Sequence, residues 1–384
     1  MADGSKSFEL SMVDSVAQVP AEAWDQCALA AGGNPFTSHR FLSALEVSGS
    51  VGEETGWIPR PLILRDGDDI LGVAPLYLKL HSQGEYVFDH HWADAYHRAG
   101  GRYYPKLVAA SPFSPVTGPR FLAGKREYRK ALASGAVSAS KQLGVSSLHV
   151  NFVTPGDKEV TTAEDYLNRE GIQYHWFNKD YLTFDDFLDT LMSRKRKSVK
   201  RERRQANDAG LVIRRLRGKD IKPKHWDAFW DFYLDTGARK WGQPYLTRSF
   251  FEEIAGTMSE EILLVIAESD ETPVAGAMNI IGCDALYGRY WGTTDYYAFL
   301  HFEVCYYQAI EFAIEERLDR VEAGAQGEHK IARGYRPVTT HSIHWLRDPS
   351  FRDAIDRYLE AERSQNAEEL EYCRQHEPYK KGDA

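Results

Sequence analysis

The sequence has little cysteine, no long apolar run and no recognisable targeting segment at its start. Its four cysteines, Cys27, Cys283, Cys305 and Cys373, are far apart and form no CxxC pair, which is typical of reduced cytosolic thiols and offers no zinc site. No window approaches the roughly 18 apolar residues that a membrane span needs. The first residues, MADGSKSFEL, lack the basic and apolar regions of a secretory signal. We therefore expect a cytoplasmic protein.

The composition also excludes a disordered or low-complexity chain. Hydrophobic residues make up 43% of the sequence and charged residues 27%, which is the ordinary globular range. The length of 384 residues exceeds one typical hydrophobic core, so we expect two domains.

The net charge of −9 is unevenly distributed along the chain. Between residues 194 and 204 there are eight basic residues and one acidic residue, or +7, so the remainder carries −16. This pattern excludes a general DNA-binding protein and favours contact with one anionic partner in one place. The candidates are an anionic membrane surface, an acyl carrier protein, coenzyme phosphates or, less favoured, tRNA; a solvated connector is the alternative. The predicted contact residues are Arg194, Lys195, Arg196, Lys197, Lys200 and Arg201.

An internal repeat indicates that the chain is a duplication. PFTSHRFL at residues 35–42 recurs as PYLTRSFF at residues 244–251, and Pro20 to Asp25 is echoed by Pro223 to Asp227. In the two copies Ser38 and Thr247 are expected to cap a helix.

The order of predicted elements is similar in the two halves. The first half has strands over 60–64, 70–80 and 147–152, with a helix over 127–143 that Gly144 ends. The second has strands over 262–268, 273–281, 286–291 and 320–323, with a helix over 302–318. This is the order of a GNAT domain, so we predict an α/β fold with α+β mixed sheets and tandem GNAT-like domains. The domains are expected over 1–182 and 211–384.

A basic helical connector is expected over 183–210, between the two domains. Thr183 and Asp186 have the spacing of a capping box that opens a helix, and the basic stretch follows it. We expect the second domain to carry the chemistry and the first to shape the groove for the acceptor.

Several longer motifs carry a family resemblance over nearly the whole chain. They are HSQGEYVFD at 81–89, SPVTGPR at 114–120, GRYWG at 288–292, HFEVCYYQ at 301–308, EAGAQGEHK at 322–330 and RGYRP at 333–337. With these motifs the chain resembles the FemAB-like predicted N-acyltransferases, once described as peptidoglycan biosynthesis or recognition proteins. The resemblance implies transfer of an acyl group from a thioester to a primary amine on a lipid or cell-envelope precursor. Some relatives look like ceramide-forming enzymes that act on sphingoid bases, whereas true Fem enzymes use aminoacyl-tRNA.

Acyl transfer to an amine needs a general base and donors for the developing oxyanion. His301 and Glu303 open a helix after the central strand, and Glu328 and His329 open the next short helix, so these four are the catalytic candidates. For Glu303 an ordinary helix N-terminal carboxylate is the alternative. The candidates for substrate binding are Arg289, Tyr290, Tyr306, Lys330, Arg333 and Arg336. For Arg289 the alternative interpretation is a structural ion pair. For Lys330, Arg333 and Arg336 the alternative is that they lie on a solvated helix face.

The loop at residues 293–300 departs from the usual GNAT pattern. Its sequence, TTDYYAFL, has no glycine where a pyrophosphate loop would be expected, which puts ordinary coenzyme A binding there in question. A long acyl chain or a carrier-bound donor could use the apolar lining instead. We expect no tightly bound cofactor, with acyl-CoA or another acyl thioester as co-substrate.

The sequence allows three further interpretations. His90, Asp94 and His97 have helical spacing that could hold a metal, but capping and hydrogen bonding explain them more simply, so no metal site is predicted. The rival functions are an aminoacyl-tRNA-dependent transferase on a peptidoglycan precursor and a catalytically silent GNAT-fold binding module. A nucleic-acid-binding protein would rest on the basic stretch alone.

Overall fold

The computed structural model describes residues 8–161, 165–240, 243–324 and 327–380, without the side chains of 238–240. Ala325 and Gln326, from one of the quoted motifs, lie outside the described residues. The chain divides into two compact units, one of 1–171 with 340–366 and the other of 172–339 with 367–384. The units differ from the contiguous domains expected from the sequence because residues 341–346 pair antiparallel with 147–153 in the first unit.

The elements of the first part of the chain begin with a strand and two short helices. They are β1 (Glu9–Met12), α1 (Ala21–Ala30), α2 (His39–Val47), β2 (Trp57–Pro59), β3 (Leu62–Asp66), β4 (Asp69–Ala74), β5 (Leu76–Lys79), α3 (His90–Arg98), β6 (Lys106–Ala109), α4 (Arg126–Leu143), β7 (Ser147–Val153), α5 (Pro155–Val160) and β8 (Leu167–Phe177).

The second part of the chain repeats the pattern of two helices followed by an antiparallel meander. Its elements are α6 (Phe184–Thr190), α7 (Ser193–Asn207), β9 (Val212–Arg217), α8 (Pro223–Lys240), α9 (Arg248–Thr257), β10 (Ile262–Ser269), β11 (Thr272–Ile281), β12 (Ala285–Thr293), α10 (Leu300–Phe302), α11 (Gln308–Glu315), β13 (Arg320–Glu322), β14 (Arg336–Leu346) and α12 (Pro349–Gln375). A π-helical turn (Glu303–Tyr307) joins α10 to α11, and a 3-10 helix (Glu328–Arg333) precedes β14.

Each unit contains a mixed sheet. In the first unit the strand order is β2-β5-β6-β7-β14, beside a three-stranded sheet β1-β3-β4; in the second it is β8-β13-β12-β11-β10-β9. The strand predicted over 70–80 is in fact two strands, because Pro75 has no N–H for a ladder and the chain changes sheets there. The helix predicted over 302–318 ends at Glu315 and includes the π-helical turn.

The predicted caps are confirmed, and they show how local sequence sets the helix ends. Ser38 accepts a hydrogen bond from the N–H of Phe41, and Thr247 accepts one from Phe250 at the matching place in the repeat. Thr183 and Asp186 form the predicted capping box. Gly144 ends α4 in the left-handed region, with φ 72°.

Strand β12 lies directly against helix α8 in the second unit. A Cβ atom added to Gly292 would collide with the carbonyl oxygen of Phe232 on that helix, so only glycine permits this approach. The other face of the sheet is covered by α11 and the π-helical turn, whose buried Val304, Tyr307 and Ile310 belong to the apolar core of this unit. Strand β12 is thereby held between two helical layers.

Candidate functional site

Strand β12, which lies beside the candidate site, changes its pairing halfway along. Its first half pairs in parallel with β13 from Ala285 to Tyr287, and the described pairing ends at Glu322. On the antiparallel side Met278 pairs with Tyr290 and Asn279 with Gly288, so the register skips Arg289 in a β-bulge. A bulge bends and twists a strand, and the described pairing of β12 with β13 is confined to the residues before it.

A cluster of aromatic and imidazole rings lies beside the second half of β12. The His301 ring centroid is 5.2 Å from that of Trp291 on the strand, 5.2 Å from that of Tyr306 and 6.1 Å from that of His329. The Phe302 and Tyr306 rings are stacked, with centroids 6.1 Å apart. The structure therefore brings together His301, Tyr306 and His329, which the sequence analysis had selected as separate candidates.

His329 and Tyr306 form a hydrogen-bonded pair at the centre of this cluster. The Nε2 atom of His329 and the Tyr306 hydroxyl oxygen are 2.9 Å apart, and the donor depends on the tautomer. Tyr306 is buried and His329 is exposed. Burial raises the pKa of Tyr306 above its ordinary value, so its hydroxyl keeps its proton at neutral pH. The pair thus joins an accessible imidazole to a buried proton donor.

Lys330 anchors the segment that follows β13. The residue is only 2% exposed, and its ammonium group donates to the carbonyl oxygen of Gly324, 3.0 Å away. Burial lowers the pKa of Lys330 to about 8. Gly327 immediately before the 3-10 helix has φ 117°, and the His329 ring lies so close that a Cβ atom there would be 2.6 Å from its Cε1. The His329 ring therefore lies directly against Gly327, where any larger residue would collide with it.

A buried carboxylate that the sequence analysis did not select lies where the β12–β13 pairing ends. Glu322 Oε1 accepts from Arg320 Nε at 2.9 Å, whereas Oε2 has no hydrogen-bond partner among the described residues. Burial raises the pKa of Glu322, opposed by Arg320. His175, its cross-strand neighbour on β8, has Nε2 3.8 Å from Oε2 and a pKa that burial lowers to about 3, so it stays neutral. An acidic residue at a strand end, two positions before a glycine, was the signal in the sequence.

Glu303, a predicted catalytic residue, is held in an ion pair. Its carboxylate is fully buried and contacts Arg203 of α7 at 3.0 Å, and Gln308 Nε2 donates to it at 2.8 Å. Arg203 also pairs with Glu311 at 2.9 Å and lies over the Phe184 ring. Since these contacts occupy the carboxylate, we leave Glu303 out of the proposed site.

The other predicted residues are spread over different surroundings. Arg333 pairs with Glu202 at 3.1 Å and lies 3.3 Å from the Phe302 ring centroid, and Arg336 pairs with Glu377 at 3.5 Å. These charges are compensated within the protein.

Tyr290 and Glu328 point elsewhere. The Tyr290 ring packs on Tyr233 of α8, 5.2 Å between centroids, on the face of β12 opposite Trp291, and the Arg289 guanidinium lies 5.3 Å from the Tyr290 ring centroid. Glu328 is exposed at the start of the 3-10 helix and acts electrostatically on Tyr174 and Cys373.

The predicted anionic-partner residues all lie on α7. Arg196 and Lys200 form ion pairs with Asp189 at 2.8 Å and Asp185 at 2.9 Å. Arg194, Lys197 and Arg201 are exposed and have no ion pair among the residues that the structure describes, and the same is true of the half-buried Lys195. No group of three or more His, Cys, Asp or Glu side chains suited to a metal occurs within the described ranges. Within those ranges, no helix is long and apolar enough to cross a membrane.

Comparisons with known proteins agree with this architecture. A family model, FemAB-like, described as peptidoglycan biosynthesis/recognition, matches residues 15–381. The structure of FemX is similar with a TM-score of 0.57 and 12% identity, covering 88% of this chain and 98% of FemX. The C-terminal domain of a putative lysylphosphatidylglycerol synthetase from Agrobacterium fabrum has a TM-score of 0.54 and 9% identity, covering 89% and 96%. No curated protein sequence matches significantly. The mixed α/β, tandem GNAT-like fold predicted from the sequence is confirmed.

Proposed function

Because the chain belongs to the FemAB-like family, we propose that it is an N-acyltransferase acting on a cell-envelope precursor. It moves an acyl group from a thioester to a primary amine of a lipid or other envelope precursor, with a sphingoid base as one acceptor of this class. The observation that carries the proposal is the His329–Tyr306 hydrogen bond of 2.9 Å beside the bulged half of β12.

The chemistry requires one proton to leave the amine and one to reach the leaving thiolate. As the nitrogen attacks the thioester carbon, a C–N bond forms and the C–S bond breaks. The exposed imidazole of His329 takes the proton from the amine, and the Tyr306 hydroxyl gives its proton to the sulfur. The hydrogen bond between them then returns a proton from the imidazolium to the tyrosinate, so the pair regains its starting state. A shared hydrogen bond explains why the two side chains act together.

The rings around the His329–Tyr306 pair provide a surface for the acyl donor. The ring cluster of Trp291, His301 and Phe302 gives the acyl chain of the donor an apolar surface. The loop at 293–300 has no glycine-rich phosphate cradle, so we assign donor binding to the acyl chain and not to coenzyme phosphates.

The experiment is an acyl-transfer assay with the purified full chain. Long-chain acyl-CoA is supplied with a sphingoid base, with phosphatidylethanolamine or with a peptidoglycan precursor bearing a free amine. Thiol release and amide formation are followed by a thiol reagent and by mass spectrometry. His329→Ala and Tyr306→Phe should each lower turnover roughly 100-fold or more, the range expected when a positioned acid or base is removed.

Tyr290→Phe is the matched control, since it removes a tyrosine hydroxyl from the opposite face of β12. It should keep the wild-type rate. If amide forms only when aminoacyl-tRNA is the donor, the protein is an aminoacyl transferase and the proposed thioester donor is wrong. Wild-type turnover in both His329→Ala and Tyr306→Phe would refute the assigned roles.

A further inference from the structure

One stripe of helix α7 carries an unusual concentration of exposed positive charge. Arg194, Lys197, Arg201 and Arg204 are all exposed, and no ion pair occupies them among the residues that the structure describes. At 3.6 residues per turn these positions fall within about 80° of one another, and they extend over about 15 Å of helix. The four cations therefore form a single row on one face, which we call the α7 stripe.

The remaining positions of α7 hold the helix in place. Val199, Glu202 and Ala206 are buried, and they lie on the side of the helix opposite the α7 stripe. The Glu202 carboxylate accepts hydrogen bonds from Arg333 and from the Tyr307 hydroxyl, so its charge faces the protein interior. Arg196, Lys200 and Arg203 are neutralised by carboxylates at 2.8, 2.9 and 3.0 Å. Within α7, the α7 stripe therefore presents a row of exposed positive charges that no carboxylate of the described residues compensates.

Two exposed apolar side chains lie in the segment of the chain that leads into this helix. Leu182, just before α6, is 83% exposed, and Met192, between α6 and α7, is 41% exposed. The α7 stripe itself contains no aromatic side chain on which a base could stack, which is the usual device of single-stranded nucleic acid binding. Exposed cations on α7, together with exposed aliphatic groups in the segment before it, fit the interface of an anionic lipid layer, where charge attracts and apolar groups insert.

We propose that the α7 stripe docks the protein on an anionic phospholipid surface. The rest of the chain carries net negative charge, so an anionic surface attracts this face and repels the others. The contact is peripheral and electrostatic, because four exposed cations and two aliphatic side chains bury little apolar area. Docking is measured without an acyl donor, so it stands or fails independently of the proposed acyl transfer.

The test is co-sedimentation of the full chain with phosphatidylcholine vesicles, with and without phosphatidylglycerol, over a series of salt concentrations. Wild-type protein should bind only the anionic vesicles, and added salt should weaken binding because exposed charges are screened. Simultaneous reversal of the α7 stripe to Glu should lower the affinity at least about 100-fold, since each basic residue near such a surface contributes about fivefold. Replacing the same four residues with Gln, which keeps helix propensity, should give a smaller loss.

The matched control makes the same change in net charge elsewhere. It reverses four other exposed basic residues that have no ion pair within the described part of the chain, namely Arg98, Lys130, Arg357 and Arg374. This control should bind anionic vesicles like the wild type. An equal loss in the control would show that net charge alone governs binding and would overturn the proposal.

Two further outcomes decide the nature of the partner. The double variant Leu182→Ser with Met192→Ser should weaken vesicle binding severalfold without changing its salt dependence. If binding is unchanged, the partner is not a lipid layer and the proposal is overturned. Tight tRNA binding that the α7 stripe variant abolishes, without vesicle binding by the wild type, would identify a nucleic-acid surface and overturn the proposal. Far-ultraviolet circular dichroism of each variant establishes that α7 remains folded.

Discussion

Lys79 and Lys106 lie directly opposite each other on the antiparallel strands β5 and β6 in the first unit, and both side chains are fully buried. Lys106 Nζ donates to Asp89 at 2.6 Å and to Glu85 at 2.9 Å. Although burial opposes its charge, these two carboxylates raise the pKa of Lys106. Burial, with Lys106 nearby, lowers the pKa of Lys79 to about 6, so its amine is neutral at pH 7. The HSQGEYVFD motif supplies both carboxylates of this arrangement.

The two lysines should therefore differ in their contribution to stability. Lys106→Met leaves Asp89 and Glu85 buried without their cation, and we expect the free energy of unfolding to fall by about 3–5 kcal/mol. Lys79→Met removes a neutral amine that donates to the Gln83 carbonyl, and we expect a loss of about 1–2 kcal/mol. Urea unfolding at pH 7 measures the two values. Equal losses would contradict the assignment of the charge to Lys106.

The neighbouring histidines should make the protein sensitive to acid. Burial, then Lys106, lowers the pKa of His149 to about 3, and burial, then His149, lowers that of His344 well below its usual range. Between pH 3 and 6.5 the unfolded chain binds a proton at His149 that the folded protein does not, so stability falls as the pH falls. From pH 6.5 to 5 this one residue should contribute about 2 kcal/mol of the loss.

His149→Gln should flatten that dependence, measured by urea unfolding at several pH values between 5 and 7.5. Exposed His97 in α3 provides the comparison, and His97→Gln should keep the wild-type slope. A slope that is unchanged in His149→Gln would mean that His149 is protonated in the folded protein.

Glu303→Gln should affect stability rather than chemistry. The substitution removes the buried charge that faces Arg203, while Arg203 keeps its contact with Glu311. We expect a loss of about 1–3 kcal/mol in the free energy of unfolding, the cost of weakening a buried charged hydrogen bond. Turnover per folded molecule in the acyl-transfer assay should stay at the wild-type level. A large fall in turnover with unchanged stability would instead make Glu303 the general base.

Local features of the protein were predictable because their causes lie within a few residues. The cap at Thr247, the capping box at Thr183 and the left-handed Gly144 each depend on hydrogen bonds or backbone sterics over three or four positions. Pro75 could also have indicated the break between β4 and β5, since proline cannot donate to a ladder.

The candidate site was predictable only in part. His301 and His329 were selected because the order of elements places both beside the central strand, and their rings are 6.1 Å apart. Arg333 was selected by its charge and neighbouring glycines, but its partner Glu202 lies far away in the sequence. Whether a charged residue binds a ligand or an internal partner depends on packing, which residue type and spacing do not reveal.

The sequence by itself determined the α/β elements, the duplicated order of those elements and the position of the basic helix, because periodicity and capping are short-range properties. Only the tertiary structure decided that Lys79 faces Lys106, that Arg203 holds Glu303 and that Tyr306 reaches His329. Those relationships depend on strand register and on burial. Both arise when distant segments pack together and exclude water, since a charge in a dry interior must find a partner or lose its proton.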